Sequence, residues 1–227
     1  MLPDPLVLAF DTSAAHCAAA LLKGDQTLAQ HTDLMTRGQA EHLMPMLESM
    51  LAKNDLAFDD LQCLAVGVGP GNFTGIRISV AAARGLALGL GIPAIGVSNF
   101  EIMRFAAPET QGGVELVSVH APRDQAYVQQ FRDGLPDGAP QQIDPANPPK
   151  ELMTENLCVI GHRALDIASH LGADHHTGEL ADIPVRIGKQ AIRHLGSTPS
   201  ALPRPVPVYV RPADAAPPKD MAPVILG

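Results

Sequence analysis

The stretch GVGPGNFTGIRISVAAARGLALGLGIPAIGVS, residues 67–98, carries the strongest fold signal in the chain. A loop with four glycines and a proline runs into an apolar segment whose periodicity predicts a helix over residues 74–90. A turn and a short apolar run then predict a strand at 93–97, and another apolar run predicts a strand at 63–68. This order of strand, glycine loop, helix and strand is typical of an α/β layer fold.

Residues before this stretch add further strands and one helix. The patterns predict a strand at 6–10, a hairpin of strands at 16–22 and 26–32, and a helix at 40–51. Pro45 lies inside that helix and should kink it or weaken one backbone hydrogen bond. The first half of the chain therefore predicts a mixed sheet covered by helices.

The second half of the chain predicts a smaller unit of the same class. Its elements are a strand at 114–120, a strand at 126–132, a Pro-rich connection at 135–149, a strand at 157–160 and a helix at 162–171. The segment from Pro199 is Pro-rich and should be extended. The sequence shows no internal repeat. We therefore expect two units, residues 1–108 and residues 109–227 with the Pro-rich end.

Composition and charge limit the classes of function. The chain has 227 residues, 16 Lys and Arg against 24 Asp and Glu, and a formal net charge of −8. Such a chain is poorly suited to bind nucleic acid alone, because phosphate contacts supply most of that affinity. The three cysteines form no CxxC motif, and the first residues do not resemble a signal peptide. A cytoplasmic protein with no membrane contact is expected.

The predicted helix at 74–90 has two apolar faces, whereas a surface helix needs one. Ile76, Val80 and Ala83 fall on the first face. The second face consists of Ile78, Ala81, Ala82, Gly85 and Gly89. Small residues at i, i+4 and i+8 on this face allow close approach of another backbone. Either the helix is buried within its own unit, or this face docks a second subunit.

The glycine loop and the end of the first strand form a candidate anion site. Unpaired N–H groups near a helix N-terminus favour an anion, and polar residues often end strands where ligands bind in α/β folds. The candidate nucleotide or phosphate residues are Asp11, Thr12, Ser13, Gly69, Gly71 and Thr74. Thr74 is also a capping-type residue. The alternative is an ordinary turn, and the loop lacks the lysine of a P-loop.

Catalytic and metal-binding motifs are not recognisable in the sequence. The nine histidines include no HExxH or HxxxH pair, and His175 and His176 lie in a polar segment that we interpret as a solvated loop. No GxSxG nucleophile motif occurs. We therefore expect no metal site and no catalytic set.

Three blocks together resemble the TsaB (YeaZ) family, which takes part in forming threonylcarbamoyladenosine in tRNA. They are LAFDTSAAHCAAALL (8–22), RGQAEHLMPML (37–47) and the stretch at 67–98. The resemblance is dense over residues 6–98 and continues only in patches at 123–131 and 207–213. It implies an ASKHA (actin- and Hsp70-like) fold of two lobes, the second reduced. In the second lobe, His120 and Pro122 depart from the expected pattern.

The resemblance also implies partners and a docking face. A TsaD-type transferase subunit would bind through lobe-one helices, a TsaE-type ATPase would join the complex, and the chain alone would form a homodimer. The contact would include the second face of the helix at 74–90 and the outer side of the first helix at His42, Met46 and Ser49. Transfer RNA would be bound only through the complex.

The TsaD-type relative binds a metal through two histidines, and this sequence lacks them. Aligned on Glu101, those two positions hold Asn99 and Met103, which are poor ligands for a hard or borderline metal. The resemblance therefore implies a non-catalytic scaffold without a cofactor, apart from residual ATP or ADP binding. The alternatives are an ASKHA-type ATPase or phosphotransferase that uses Asp11 with the glycine loop, and a domain that only self-associates.

Overall fold

Two five-stranded sheets, one from each half of the chain, form the framework of the computed structural model. The structure describes residues 4–105, 113–197 and 203–210. The unit boundary expected at residues 108/109 and most of the Pro-rich end therefore lie outside the described residues. Short 3-10 turns lie at Phe58–Asp60 and at Lys150–Leu152.

Lobe one is built on a mixed sheet with the strand order β3-β2-β1-β4-β5. Its strands are β1 (Leu6–Asp11), β2 (His16–Lys23), β3 (Gln26–Leu34), β4 (Cys63–Gly67) and β5 (Ala94–Val97). Strands β1 to β3 run antiparallel, whereas β4 is parallel to β1 and β5 is parallel to β4. The predicted strands of the first half of the chain are thus confirmed.

Helices cover both faces of this sheet. Alternation along β1 directs Leu8 and Phe10 toward α1 (Gln39–Ala52) and α2 (Phe73–Leu90). Val7 and Ala9 on the other face pack against α5 (Ile183–Ser197). Strands β1 and β2 are therefore buried on both faces, which accounts for their continuous apolar sequence.

Lobe two repeats the strand arrangement of lobe one with the order β8-β7-β6-β9-β10. Its strands are β6 (Val114–Ala121), β7 (Gln125–Arg132), β8 (Leu135–Ile143), β9 (Leu157–Gly161) and β10 (Asp174–Thr177). Helix α4 (Ala164–Leu171) packs on one face and α3 (Asn99–Phe105) on the other. The repeat is one of topology without sequence similarity, and this doubled arrangement is the one expected of an ASKHA fold.

Several elements differ from the sequence predictions, and helices α3 and α5 were not predicted at all. The connection predicted at 135–149 begins as strand β8, an edge strand that tolerates Pro136 and Pro140 because one side needs no ladder hydrogen bonds. His175 and His176 lie in edge strand β10 and not in a loop. Helix α5, within the segment assigned to lobe two, packs on the sheet of lobe one.

Helix α1 runs unbroken through Pro45 over its 14 residues.

Helix α2 is the one helix in the described part of the chain that is long and apolar enough to cross a membrane by length and composition. Its inner face, with Ile76, Val80 and Ala83, packs into the core of lobe one. Its apolar composition therefore has two sources, a buried face and an exposed one.

Candidate docking face and interlobe cleft

The glycine loop packs directly on the end of β1. A Cβ atom on Gly75 would overlap the carbonyl oxygen of Thr12, and one on Gly71 would overlap that of Ser13. The Asn72 N–H donates to Ser13 O at 2.6 Å, and the Thr12 hydroxyl donates to Gly75 O at 2.7 Å. The loop and the β1–β2 turn therefore pack closely on each other, and phosphate binding at this loop stays a prediction.

The start of α2 is capped by a residue that the sequence analysis did not select. Asn72 is the N-cap, and its side-chain oxygen accepts the Gly75 N–H at 2.9 Å. Thr74, the predicted capping residue, is exposed within the first turn. Gly69 has a φ of 89°, a conformation that favours glycine. Both glycine positions in the candidate anion site thus have a structural role in the turn.

Asp11 is completely buried behind this loop. Its Oδ1 accepts the Ser13 N–H and the Ser13 hydroxyl, each at 2.9 Å, and lies 2.7 Å from His16 Nε2. Its Oδ2 has no hydrogen-bond partner within the described part of the chain, and a Cβ atom on Gly67 would overlap it. His16 was not among the predicted site residues because it sits within an apolar strand pattern.

The second face of α2 is exposed. Ala81, Gly85 and Gly89 lie at the surface, and Ile78 and Ala82 are half-buried. No described residue comes within 4 Å of a Cβ atom placed on Gly85 or Gly89. Leu88, which the sequence analysis did not select, is 82% exposed on the same side. None of the described residues of lobe one therefore covers this second face, and its docking role stays a prediction.

The outer side of α1 adjoins this surface only in part. Ser49 is exposed and His42 is half-buried, but Met46 is 6% exposed and belongs to the core of lobe one. The prediction that Met46 faces outward is therefore wrong. Met46 lies at the boundary of the buried stripe formed by Leu43, Leu47 and Met50.

A groove of about 430 Å³ lies between α1 and β3. His42 and Met46 line it from α1, and His31 and Asp33 line it from β3. His42 Nε2 is 2.6 Å from one oxygen of Asp33, and His31 Nε2 is 3.0 Å from the other. The hydrogen bond with His42 is the main cause that holds the pKa of Asp33 below its usual value.

Replacing His42 by Ala should raise the pKa of Asp33 toward its ordinary value, because the largest cause of the lowering is removed. A group with a lowered folded-state pKa stabilises above the unfolded-state pKa, and this contribution is lost as the pH falls through the folded-state value. Carboxyl ¹³C NMR titration of Asp33 measures the shift. His31→Ala is the matched control, with a smaller effect. An unchanged midpoint in His42→Ala would contradict the assignment.

The two positions aligned with metal-binding histidines carry no imidazole. The Asn99 side-chain amide donates to Pro70 O at 2.8 Å, and Met103 is buried in the core of lobe two. Among the described residues, no group of three or more His, Cys, Asp or Glu is arranged to hold a metal ion. The residues present therefore do not fit the metal site of the TsaD-type relative.

A cleft of about 1,050 Å³ separates the two lobes. Ser13 and the start of α2 line its lobe-one wall, and Val119 and Tyr127 line its lobe-two wall. Residues 203–210 complete it, where the Val208 N–H donates to Val68 O at 2.8 Å. The cleft remains open beside the closed glycine loop.

Comparison with known proteins gives consistent matches. A family model described as "TsaD: tRNA N6-adenosine threonylcarbamoyltransferase" matches residues 31–146, just over half of the chain. The TsaB protein of Escherichia coli K12 is 35% identical over 127 residues, 56% of this chain and 54% of that protein. The TsaB protein of Bacillus subtilis 168 is 34% identical over 131 residues, 57% of each chain. The chain thus spans about half the length of the curated relatives it matches.

Solved structures agree on the fold. Two structures of YeaZ-type proteins from Pseudomonas aeruginosa superpose with TM-scores of 0.66 and 0.65, each at 23% identity. They cover 91% and 90% of this chain, and 100% and 99% of their own. The two-lobed ASKHA-like fold expected from the sequence is confirmed. By the family model, the chain belongs to the family that the TsaD model describes, and the curated relatives and solved structures support a TsaB (YeaZ) assignment within it.

Proposed function

We propose that the chain is a cytoplasmic, non-catalytic scaffold subunit of the machinery that forms threonylcarbamoyladenosine in tRNA. Its outer α2 face, defined as Ile78, Ala81, Ala82, Gly85, Leu88 and Gly89 with neighbouring His42 and Ser49 of α1, binds and supports a TsaD-type transferase. A TsaE-type ATPase joins that complex. The exposure of this face, made of small and apolar side chains, is the observation that carries the proposal.

The shape of the outer α2 face suits a partner helix. Gly85 and Gly89 are one turn apart and have open space above them, so the backbone of another helix can approach closely. Leu88 projects beside them and supplies an apolar side chain for a pocket in the partner. The same face pairs two copies of this chain when the transferase is absent, and the partner's binding then displaces the second copy.

The geometry of lobe one supports a non-catalytic role. The carboxylate of Asp11 is buried and already accepts two hydrogen bonds from Ser13 on one oxygen. A phosphotransferase would need this carboxylate to reach a Mg²⁺–nucleotide complex, and the closed glycine loop stands in the way. The phosphotransferase alternative is therefore less well supported than the scaffold.

The charge of the chain is also consistent with an accessory subunit. The net charge of −8 disfavours direct tRNA binding, so the complex as a whole presents the RNA-binding surface. In this proposal, the chain contributes affinity and orientation for the transferase and no reacting group.

Reconstitution of tRNA modification tests the proposed function. Formation of threonylcarbamoyladenosine is measured with the TsaD-type and TsaE-type proteins of the same organism, with and without this chain. We expect little product without the chain and none from the chain alone, and the isolated chain should not hydrolyse ATP. Full product formation without the chain, or Mg²⁺-dependent hydrolysis by the isolated chain, would contradict the scaffold.

A further inference from the structure

The outer α2 face has a charged border of one sign. Arg77 and Arg84 are both exposed, and they lie on the same edge of the helix because they are about two helical turns apart. Helix α2 contains no Asp, Glu, Lys or His beside them. The chain as a whole has 24 Asp and Glu against 16 Lys and Arg, so a helix with only positive charges is an exception in it. We call Arg77 and Arg84 the arginine edge.

Neither arginine is neutralised by a carboxylate of the described part of the chain. Arg77 is instead held in position by aromatic side chains. Its guanidinium carbon lies 3.7 Å from the centre of the Phe73 ring, and its Nε donates to the Tyr209 hydroxyl at 2.9 Å. This hydrogen bond uses only Nε, so the terminal N–H groups of Arg77 can donate to a carboxylate of a partner from a fixed position.

Helix α1, which supplies the rest of the docking face, carries the opposite charge. Glu41 and Glu48 are exposed on it, again about two turns apart. Helices α1 and α2 contact each other and cover the same core of lobe one. The docking face is therefore positive along α2 and negative along α1. The surface that complements it has acidic side chains opposite α2 and basic side chains opposite α1.

Pairing of two copies brings like charges together on this face. The space above Gly85 and Gly89 is open, so the closest approach of a second helix falls near these glycines. In a two-fold symmetric pair, residues close to the symmetry axis meet their own copies. Arg84 directly precedes Gly85, so its guanidinium would lie near that of the second copy. Like charges that meet at an interface disfavour it, and such repulsion discriminates between partners.

We propose that the arginine edge selects an acidic helix of the partner over a second copy of this chain, with Arg84 as the main specificity residue. The selection rests on the proposed function, because it requires the outer α2 face to be the docking face. The partner's helix carries Asp or Glu residues about two turns apart, which bind Arg77 and Arg84. The homodimer keeps the repulsion between the two Arg84 side chains and gains no such ion pair.

The salt dependence of the two equilibria tests the charge of the partner. Calorimetry measures binding of the full chain to the TsaD-type transferase of the same organism, and sedimentation equilibrium measures self-association. Between about 50 mM and about 500 mM NaCl, the affinity for the transferase should fall about tenfold, because salt screens the attraction. Self-association should strengthen over the same range, because salt also screens the repulsion. An affinity for the transferase that does not fall with salt would overturn the proposal.

Arg84→Ala should shift the two equilibria in opposite directions. Loss of the guanidinium should weaken the heterocomplex about fivefold, and relief of the repulsion should strengthen the homodimer by a similar factor. Arg84 is exposed and alanine favours the helix, so the fold is unaffected. Arg84→Lys keeps the charge and should retain most of both affinities. Lys150→Ala is the matched control, because it removes an exposed positive charge from lobe two and leaves α2 unchanged.

Gly85→Leu separates this proposal from the proposed function. Weak binding by Gly85→Leu together with wild-type affinities for Arg84→Ala would leave the docking face in place and overturn the selection by charge. Wild-type affinity for Gly85→Leu would remove the docking face and the selection with it. Equal changes in Arg84→Ala and Lys150→Ala would also overturn the role of Arg84, because net charge alone would then explain them.

Discussion

Gly85→Leu is expected to weaken the complex with the TsaD-type transferase strongly while the fold remains intact. Gly85 is exposed, and a Cβ atom there meets no described residue within 4 Å, so the larger side chain fits the isolated protein. Leucine also favours the helix more than glycine does. In the complex, the added bulk separates close-packed backbones and should cost about 3 kcal/mol, or roughly a hundredfold in the dissociation constant.

Gly196→Leu is the matched control for this substitution. Gly196 is exposed near the end of α5, with equally open space around it. Helix α5 covers the face of the sheet opposite α2. Titration calorimetry with the transferase should therefore give wild-type affinity for Gly196→Leu. Wild-type affinity for Gly85→Leu would remove the outer α2 face from the interface.

Gly75→Ala should destabilise the protein more than any other single methyl addition considered for α2. Its Cβ atom would overlap the Thr12 carbonyl oxygen, which is backbone and cannot rotate away. Either α2 or the end of β1 must move, and the Thr12 hydroxyl would lose its bond to Gly75 O. We expect a loss of about 3 kcal/mol in the free energy of unfolding, equivalent to roughly 10 °C in Tm.

Gly85→Ala provides the comparison within the same helix. There the methyl group enters open space, and alanine favours the helix by about 1 kcal/mol over glycine. Thermal unfolding followed by circular dichroism should thus show opposite shifts for the two variants. A wild-type Tm for Gly75→Ala would mean that the contact between the glycine loop and β1 is loose.

Sequence patterns predicted most of the fold because a buried face imposes a regular spacing on the apolar residues of a helix or strand. Strand β1 is buried along its whole length and helices α1 and α2 each bury one face, and their predicted bounds differ from the observed ones by one residue at most. Edge strands β8 and β10 were not predicted because their residues are largely exposed and show no apolar alternation. The prolines of β8 further disfavoured the prediction of a strand there. Helix α5 was not predicted either. It contains Gly188, a residue of low helix propensity, and the close packing of Gly188 against Leu22 outweighs that low propensity.

The candidate site could be predicted from the sequence only in part. The second face of α2 is visible in the sequence, but whether it is buried depends on which helices lie beside it. The glycines of the loop suit a phosphate or a close-packed backbone equally well, and only the position of Thr12 and Ser13 distinguishes these roles. The hydrogen bond between Arg77 and Tyr209 spans 132 positions of the sequence, and no local pattern reveals such a contact.

Hydrogen exchange of the full chain, alone and with the TsaD-type transferase of the same organism, tests the central claim most directly. The scaffold account predicts a stable complex in which amides of α2, together with those of α1 around His42 and Ser49, gain protection. Amides of α4 in lobe two should exchange as in the free chain. Absence of a complex, or protection confined to lobe two, would contradict the account.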